Sequence, residues 1–319
     1  MISLTREHAR LGGAAGCLIA AMVFTSPALA SENGNQHFPI GVLSANAGTP
    51  PPEGMLQVQN YMLYQPARSV VDANGVKEPV PFKLDVAVDA PRFLYTWKGE
   101  VFAGLHYTTA LVVPLVHLNL DVAGSYGHDT MIGDVDIGNY LGKTTKSGKV
   151  SLLFGFETYV PSGHYDPHAL INTGSNVWTF APSGGITYRP TKRLELTAWG
   201  ITEFNTTNHA THYHSGSDVD IDFGSTWRPF HSRALNNLGF GVQGYFYKQY
   251  GNDTVSGVLH DNGYKGQEFG LGPQIRFNWP FGGILFKYQH AMAVENRPKG
   301  DRFWIEFAVP LFGKRRAHG

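Results

Sequence analysis

Residues 238–250 read LGFGVQGYFYKQY. Alternate positions from Leu238 to Phe246 are mostly apolar, whereas the positions between Gln243 and Gln249 on the other face carry amide or phenolic groups. Because successive side chains of an extended chain point to opposite faces, this alternation predicts a strand between an apolar and a polar medium. The glycines at 239, 241 and 244 spell G-x-G-x-x-G, but a nucleotide fingerprint needs a helix after the strand. Here the alternation continues, so we interpret the glycines as small positions in a strand.

The same alternation recurs along the chain in segments of about ten residues, which is typical of a transmembrane β-barrel. Twelve segments can be counted, and the count holds to within one hairpin. They lie near residues 54–65, 86–97, 101–114, 132–141, 149–160, 177–188, 193–204, 218–228, 238–250, 266–279, 283–290 and 301–312. An even number is what a single-chain bacterial barrel requires. The sequence therefore predicts an all-β fold, a transmembrane antiparallel up-and-down barrel of about 12 strands.

The links between the predicted strands alternate in length. The first, third, fifth, seventh, ninth and eleventh are long, whereas the links at 97–100, 189–192 and 280–283 are tight. This alternation predicts long extracellular loops, short periplasmic turns and both termini in the periplasm. Aromatic residues near the predicted periplasmic ends suit an interfacial girdle. They are Tyr188, Trp227, Trp279 and Phe312.

The first 30 residues predict a cleavable signal peptide. Arg6 and Arg10 precede an apolar run over 11–24, which is too short for a transmembrane helix, and the triplet Ala28-Leu29-Ala30 follows. Residues 31–53 end in a proline-rich stretch and form either a leader or a segment inside the lumen. The barrel is expected over 54–312. A basic tail over 313–319 departs from the usual barrel end, which is the aromatic residue that the assembly machinery reads.

Composition excludes several other classes of protein. Cys17 is the only cysteine and lies within the signal, so the mature chain has neither disulfides nor thiolate metal sites. A net charge of zero lacks the basic excess typical of a nucleic-acid binder. No apolar stretch of about 18 residues follows the signal, which excludes a helical membrane protein. An exported chain of this kind can span a membrane only as a closed barrel, so we expect it in the outer membrane of a Gram-negative bacterium.

The polar face of each strand is expected to line the lumen, because a charge that faces the bilayer midplane costs about 2–4 kcal/mol. The inward residues assigned in this way are Glu157, Glu195, Glu203, Asp220, Asp222, Arg228, Gln243, Gln274, Arg276, Lys287, Gln289 and Glu306. Trp199, Tyr245, Tyr247 and Trp304 share this face, where they either contact a solute or pack against each other. The mixed charges could cross-link into a closed plug or line a narrow pore, since both arrangements need the same residue types.

Two groups of loop residues have compositions that suit a catalytic or metal site. His209, His212 and His214 have imidazoles at a spacing that can bind a metal, but no cysteine or nearby carboxylate completes a ligand set. Ser162 with His164, and His214 with Ser215, lack the surrounding sequence of a nucleophile elbow. We therefore predict no metal, no cofactor and no catalytic residue.

Several blocks of the mature sequence are distinctive. They are Val160–Pro167 (VPSGHYDP), Asn176–Pro182 (NVWTFAP), Tyr213–Gly216 (YHSG), Gly241–Gln249 (GVQGYFYKQ), Leu271–Gln274 (LGPQ) and Glu295–Trp304 (ENRPKGDRFW). In these blocks the chain resembles the bacterial family named for a MetA pathway of phenol degradation, and the resemblance covers most of the mature sequence.

The resemblance implies an outer-membrane barrel that admits small hydrophobic or aromatic compounds without carrying out phenol chemistry. The implied partners are outer-membrane lipid, the barrel-assembly machinery and the solute, and not a nucleic acid. It assigns no role to individual residues. The first alternative is a closed structural or adhesive barrel, and the second is an outer-membrane enzyme. The solute, the open or closed state of the lumen and the oligomeric state stay open.

Overall fold

The computed structural model describes Glu32 and residues 36–312, and these form one closed antiparallel sheet with short accessory strands. The barrel strands are β1 (Leu56–Val70), β2 (Phe82–Thr96), β3 (His106–Val112 and Leu115–Val122), β4 (Ser125–Ile132 and Val135–Thr144), β5 (Val150–Val160), β6 (Thr179–Tyr188), β7 (Leu194–Asn205), β8 (Asp218–Trp227), β9 (Leu238–Gln249), β10 (Gln267–Trp279), β11 (Gly282–Glu295) and β12 (Arg302–Phe312). The predicted signal peptide with its cleavage point, and the basic tail, lie outside the described residues.

Closure occurs between the first and the last strand. Leu56 of β1 pairs with Tyr95 of β2 on one side and with Phe312 of β12 on the other. Every other strand pairs with its neighbours in the sequence. The predicted twelve-stranded up-and-down barrel is therefore confirmed. Among the described residues, the structure contains no helix that is long and apolar enough to cross a membrane.

The two ends of the barrel differ. At one end, called the turn end here, the strands are joined by the links 97–105, 145–149, 189–193, 228–237 and 280–281. Strand β1 begins and strand β12 ends at this same end. At the other end, called the loop end, the links over 71–81, 161–178, 206–217 and 250–266 are longer. Accessory strands over 213–214, 254–255 and 258–259 form a small separate sheet within these loops. Tyr188, Trp227 and Phe312 are exposed at the turn end, whereas Trp279 is half-buried.

Two links differ from the prediction of long loops. The eleventh is short and spans only residues 296–301, because β11 extends to Glu295. The third was expected to be a long loop over 115–131. These residues continue β3 and β4 as a hairpin that reverses at Ala123 and Gly124, both with positive φ (52° and 83°). In this hairpin the apolar Leu118 and Leu120 are buried inside, whereas polar residues such as Asp121 are exposed outside. Beyond the apolar band of the barrel, the outer face of the hairpin meets water and its inner face is apolar. A rule that expects apolar residues on the outer face therefore predicts a loop here.

Within the band, outward side chains are apolar and exposed. They include Phe154, Phe156, Phe180, Ile186, Leu196, Phe204, Ile221, Phe240, Val242, Phe246, Ile275, Phe277, Phe286, Phe303 and Ile305. The next residue along a strand faces the lumen and is polar at many positions, as Glu306 beside Ile305 shows. Apolar side chains on the outside need no protein partner in a bilayer, which is why the barrel does not require an apolar centre.

Residues 36–49, called the lumen segment here, lie inside the barrel. Phe38, Val42, Leu43 and Ala47 belong to the same buried cluster as Trp199 and other inward residues of the wall. The segment has no regular secondary structure beyond turns and bends. Of the two arrangements open for residues 31–53, the contacts of residues 36–49 correspond to a segment inside the lumen.

Candidate functional site: the barrel lumen

Backbone amides of the lumen segment donate to carboxylates of the barrel wall. The N–H groups of Gly41 and Leu43 each donate to a different oxygen of Asp222, both at 2.7 Å. The N–H of Phe38 donates to Glu203 Oε1 at 2.7 Å. These carboxylates come from β7 and β8, and both are almost completely buried. Buried charge of this kind needs hydrogen bonds, and here the chain's own main chain supplies them.

Strand β11, three strands along the sheet from β8, donates to carbonyl groups of the same segment. Lys287 Nζ lies 2.8 Å from the carbonyl oxygens of both Gly41 and Val42, and Gln289 Nε2 donates to the Gly41 oxygen at 2.9 Å. Residues 41–43 are therefore held between acceptors on β8 and donors on β11. Most of these bonds involve main-chain atoms, so the wall fixes the path of the segment more than its side-chain identity.

Nearer the turn end the segment runs close against the wall. A Cβ atom at Gly224 would lie 2.1 Å from the carbonyl oxygen of Ser44, so only glycine allows the two chains to approach this closely. Ser44 Oγ donates to Gln274 Oε1 at 2.9 Å, and the N–H of Ala47 donates to Thr197 Oγ1 at 3.0 Å. In this part of the lumen the segment thus packs against β7, β8 and β10.

Several charged side chains of the inner face also pair with each other. Glu268 accepts from both terminal nitrogens of Arg302, at 2.5 and 3.0 Å, and Arg302 also lies over the ring of Tyr245. Lys287 forms an ion pair with Glu306 and lies over the ring of Trp304. The inner face is therefore a cross-linked network in which pairing reduces the cost of burying charge.

A cavity of about 270 Å³, called the main cavity here, lies between the loop-end half of the lumen segment and strands β1 to β4. One wall is aliphatic and consists of Leu63, Leu84, Val86, Val88, Ala90, Val112, Val116 and Leu118. The lumen segment contributes Phe38, Pro39, Ile40, Val42 and Leu43. Polar and aromatic residues on the other side include Arg92, Asp136, Glu157, Tyr159, Arg297 and Trp304. Cavities of roughly 150 Å³ with apolar walls can hold benzene, so this volume admits a single aromatic ring.

Two arginines on the polar side of this cavity retain unused hydrogen-bonding capacity. Arg92 Nη2 donates to the Tyr140 hydroxyl at 2.8 Å, while its Nε has no partner among the described residues. Arg297 lies over the ring of Tyr247 at 4.3 Å, and its Nη1 has no hydrogen-bond partner among them either. Both unpaired donors are buried atoms of residues that line the polar side of the cavity, and an unpaired buried donor carries a desolvation cost.

At the loop end His37 connects the lumen segment to the barrel rim. His37 Nε2 lies 3.0 Å from Asp134 Oδ2, which also accepts from Ser175 Oγ at 2.6 Å and from the Ser175 N–H at 2.8 Å. Asp134 lies between the two parts of β4, level with the end of β5 at Val160 and outside the strands. Burial raises the pKa of Asp134, but the bonds from His37 and Ser175 outweigh this effect and leave its pKa below the usual range.

The structure distributes the predicted lining residues over several environments. Glu157 and Trp304 line the main cavity. Asp222, Gln274 and Lys287 hold the lumen segment, as does Glu203. Trp199, Asp220, Gln243, Tyr245 and Tyr247 are buried within the packed wall, and Arg228, Arg276 and Glu306 border smaller spaces at the turn end. Contact of any of these residues with a solute stays a prediction.

Sequence reasoning missed the aliphatic wall of the cavity. The signal was present, because Leu84, Val86 and Val88 alternate with Lys83, Asp85 and Asp89. The assumption that apolar residues face lipid gave this strand no lumen residues. Where a strand extends beyond the apolar band, its charged face can point outward to water. A search for strands of this kind would have placed Leu84, Val86 and Val88 inside the barrel.

The serine and histidine pairs considered for catalysis make other contacts. Ser162 Oγ accepts from the Val135 N–H at 3.0 Å, and His164 Nδ1 lies 3.0 Å from Asp129. Ser215 Oγ accepts from the Glu32 N–H at 3.4 Å. His37, Asp134 and Ser175 meet, but the serine and the carboxylate share one ring nitrogen, unlike the arrangement of a catalytic triad. Within the described part of the chain, no group of three or more potential ligands is placed to hold a metal ion.

Comparison with solved structures finds outer-membrane barrels. The crystal structure of the COG4313 outer membrane channel from Pseudomonas putida F1 has a TM-score of 0.72 and 14% sequence identity, over 82% of this chain and 97% of that chain. The β domain of the Bordetella autotransporter Brka has a TM-score of 0.47 and 9% identity, over 80% and 99%. The Pseudomonas putida toluene transporter TodX has a TM-score of 0.39 and 8% identity, over 83% and 91%.

The first of these similarities shows that the chain shares the fold of an outer-membrane channel. A search of curated proteins finds no match. The sequence profile of the family described as "Putative MetA-pathway of phenol degradation" matches residues 67–307, and the chain belongs to that family.

Proposed function

We propose that this protein is a passive channel of the Gram-negative outer membrane for small hydrophobic or aromatic molecules, and that residues 36–49 gate it from inside the lumen. The observation that carries the proposal is the main cavity. One of its walls is aliphatic, and another is the lumen segment itself, so a solute in the cavity contacts the element that fills the lumen. The family's description, which refers to phenol degradation, agrees with a solute of this class.

The size and chemistry of the cavity suit transit of a single ring. Burial of one phenylalanine-sized apolar group contributes about 1.5–3 kcal/mol. Such weak binding is what a channel needs, because the solute must also leave. The guanidinium groups of Arg92 and Arg297 on the polar side of the cavity favour a ring that carries a hydrogen-bond acceptor, as a phenol does.

Uptake by proteoliposomes tests the proposal, with phenol and ethylbenzene as probes. Val86→Asn places an amide in the aliphatic wall, and burial of an unpaired amide costs about 1–3 kcal/mol, so entry of both solutes should fall about tenfold. Ala87→Asn is the matched control, because Ala87 lies on the outer face of the same strand. Equal uptake in both variants would contradict a solute route through the cavity.

Planar-bilayer conductance of protein lacking residues 37–48 tests the gate. Removal of the segment should give larger steps than the intact chain gives, and phenol should block them. A deletion variant that is folded, as judged by heat-modifiable gel mobility, yet silent and inactive in uptake would favour the closed structural or adhesive barrel instead.

A further inference from the structure

Three arginines meet at the turn end of the lumen. They are Arg189 at the end of β6, Arg228 after β8 and Arg276 on β10. Together with Asn46, Glu195, Thr226, Asn278, Trp279 and Gly282 they line a second cavity of about 250 Å³. Glu195 is the one carboxylate in this lining, so positive charge exceeds negative charge around the cavity.

Glu195 is already occupied by two of the arginines. Its Oε1 accepts from Arg276 Nη1 at 3.0 Å, and its Oε2 pairs with Arg189 Nε at 3.1 Å. Arg189 is further satisfied by Asn46 Oδ1 at 2.7 Å and Thr49 Oγ1 at 3.1 Å, which belong to the lumen segment. Both oxygens of Glu195 are thus engaged by Arg276 and Arg189, and neither forms an ion pair with the third guanidinium group.

Arg228 is the arginine without a counter-charge. Its Nη2 donates to the carbonyl oxygen of Lys192, and no carboxylate of the described residues forms an ion pair with it. Burial lowers the pKa of Arg228, the neighbouring charges of Arg276 and Arg189 lower it further, and the charge of Glu195 offsets only part of this effect. The local field thus disfavours the cation in the absence of an anion.

We propose that this arginine cavity binds a small oxyanion, a carboxylate or phosphate group, at the turn-end mouth of the lumen. The planar guanidinium fork matches the oxygens of either group in a bidentate contact. Arg228 and Arg276 supply the charge, and the Asn278 amide and Trp279 complete the lining. The inference stands on the geometry of this mouth and is independent of the solute proposed for the main cavity.

Calorimetric titration of the folded mature protein in a non-ionic detergent tests the inference, with sodium phosphate and sodium benzoate as probes at constant ionic strength. Arg228→Gln should weaken binding of a probe at least tenfold, because a charge-assisted contact is lost. Arg233→Gln is the matched control, since it removes an equal charge from an exposed position of the link 228–237 at the same end. Binding of neither anion by the unmodified protein, or equal affinity in both variants, would overturn the inference.

Arg228→Lys covers the case in which Arg228→Gln does not fold. It keeps the charge and removes the fork, so affinity should fall severalfold, and unchanged affinity would contradict the site. The source of the anion is distinguished in nanodiscs. Phosphate binding that persists beside phosphatidylglycerol assigns the site to a free solute, whereas loss of binding only with phosphatidylglycerol, and not with phosphatidylcholine, assigns it to a lipid headgroup.

Discussion

The Asp222 carboxylate accepts a hydrogen bond from the backbone N–H of Gly41 at 2.7 Å, across 181 positions of the sequence. Its second oxygen accepts from the N–H of Leu43 at the same distance. One buried side chain of the wall thus fixes the backbone of the lumen segment at two positions, Gly41 and Leu43. Because both donors are main-chain groups, no substitution within the lumen segment other than proline removes them.

Replacement of Asp222 by alanine should release the lumen segment. Hydrogen bonds to charged groups contribute about 1.5–3 kcal/mol each, so loss of the pair should shift the segment toward the undocked state by at least tenfold. The measurement is the open probability of single channels in a planar bilayer. Asp121→Ala, at an exposed position of β3, should leave it unchanged. The same low open probability in Asp222→Ala and Asp121→Ala would mean that the segment does not limit conductance.

Acid should loosen the loop-end attachment of the segment at Asp134. The pKa of Asp134 in the folded chain lies below its ordinary value of 3.8, so its bonds to His37 and Ser175 stabilise the docked segment fully above pH 3.8. This contribution is lost as the pH falls through the lowered pKa. Open probability should therefore rise severalfold at such acidic pH. Asp134→Ala should show the raised value already at neutral pH, and an unchanged pH profile in this variant would assign the response to another group.

Most of the barrel could be predicted from the local alternation of apolar and polar residues. A strand between lipid and a polar lumen must carry apolar side chains on one face and polar side chains on the other. The strand at 238–250 was predicted within one residue of its observed end. The prediction failed where the strands leave the apolar band. There the outer face meets water, so the pattern of Leu118 and Asp121 inverts and the rule that assigns apolar residues to lipid no longer applies.

The lumen was less accessible to sequence reasoning than the wall. Inward-facing residues such as Lys287 were identified by their polarity, but their partners are carbonyl groups of residues more than 240 positions away. Main-chain acceptors leave no signature in the sequence that would reveal them. The sequence therefore left two arrangements open for these residues, a leader and a segment inside the lumen. Only the three-dimensional contacts of Gly41 and Ser44 place the segment inside.

The close approach at Gly224 provides a steric test of the gate that involves no charge. A Cβ atom there would lie 2.1 Å from the Ser44 carbonyl oxygen, and backbone atoms on both sides cannot yield as a flexible side chain can. Gly224 has an ordinary strand conformation, so valine suits the sheet itself and its clash falls on the lumen segment. Gly224→Val should raise the open probability as Asp222→Ala does, with unchanged heat-modifiable mobility of the barrel. Combination of Gly224→Val with removal of residues 37–48 should add nothing further, because the clashing partner is gone. A further rise in the combined variant would show that valine acts on the wall rather than on the segment.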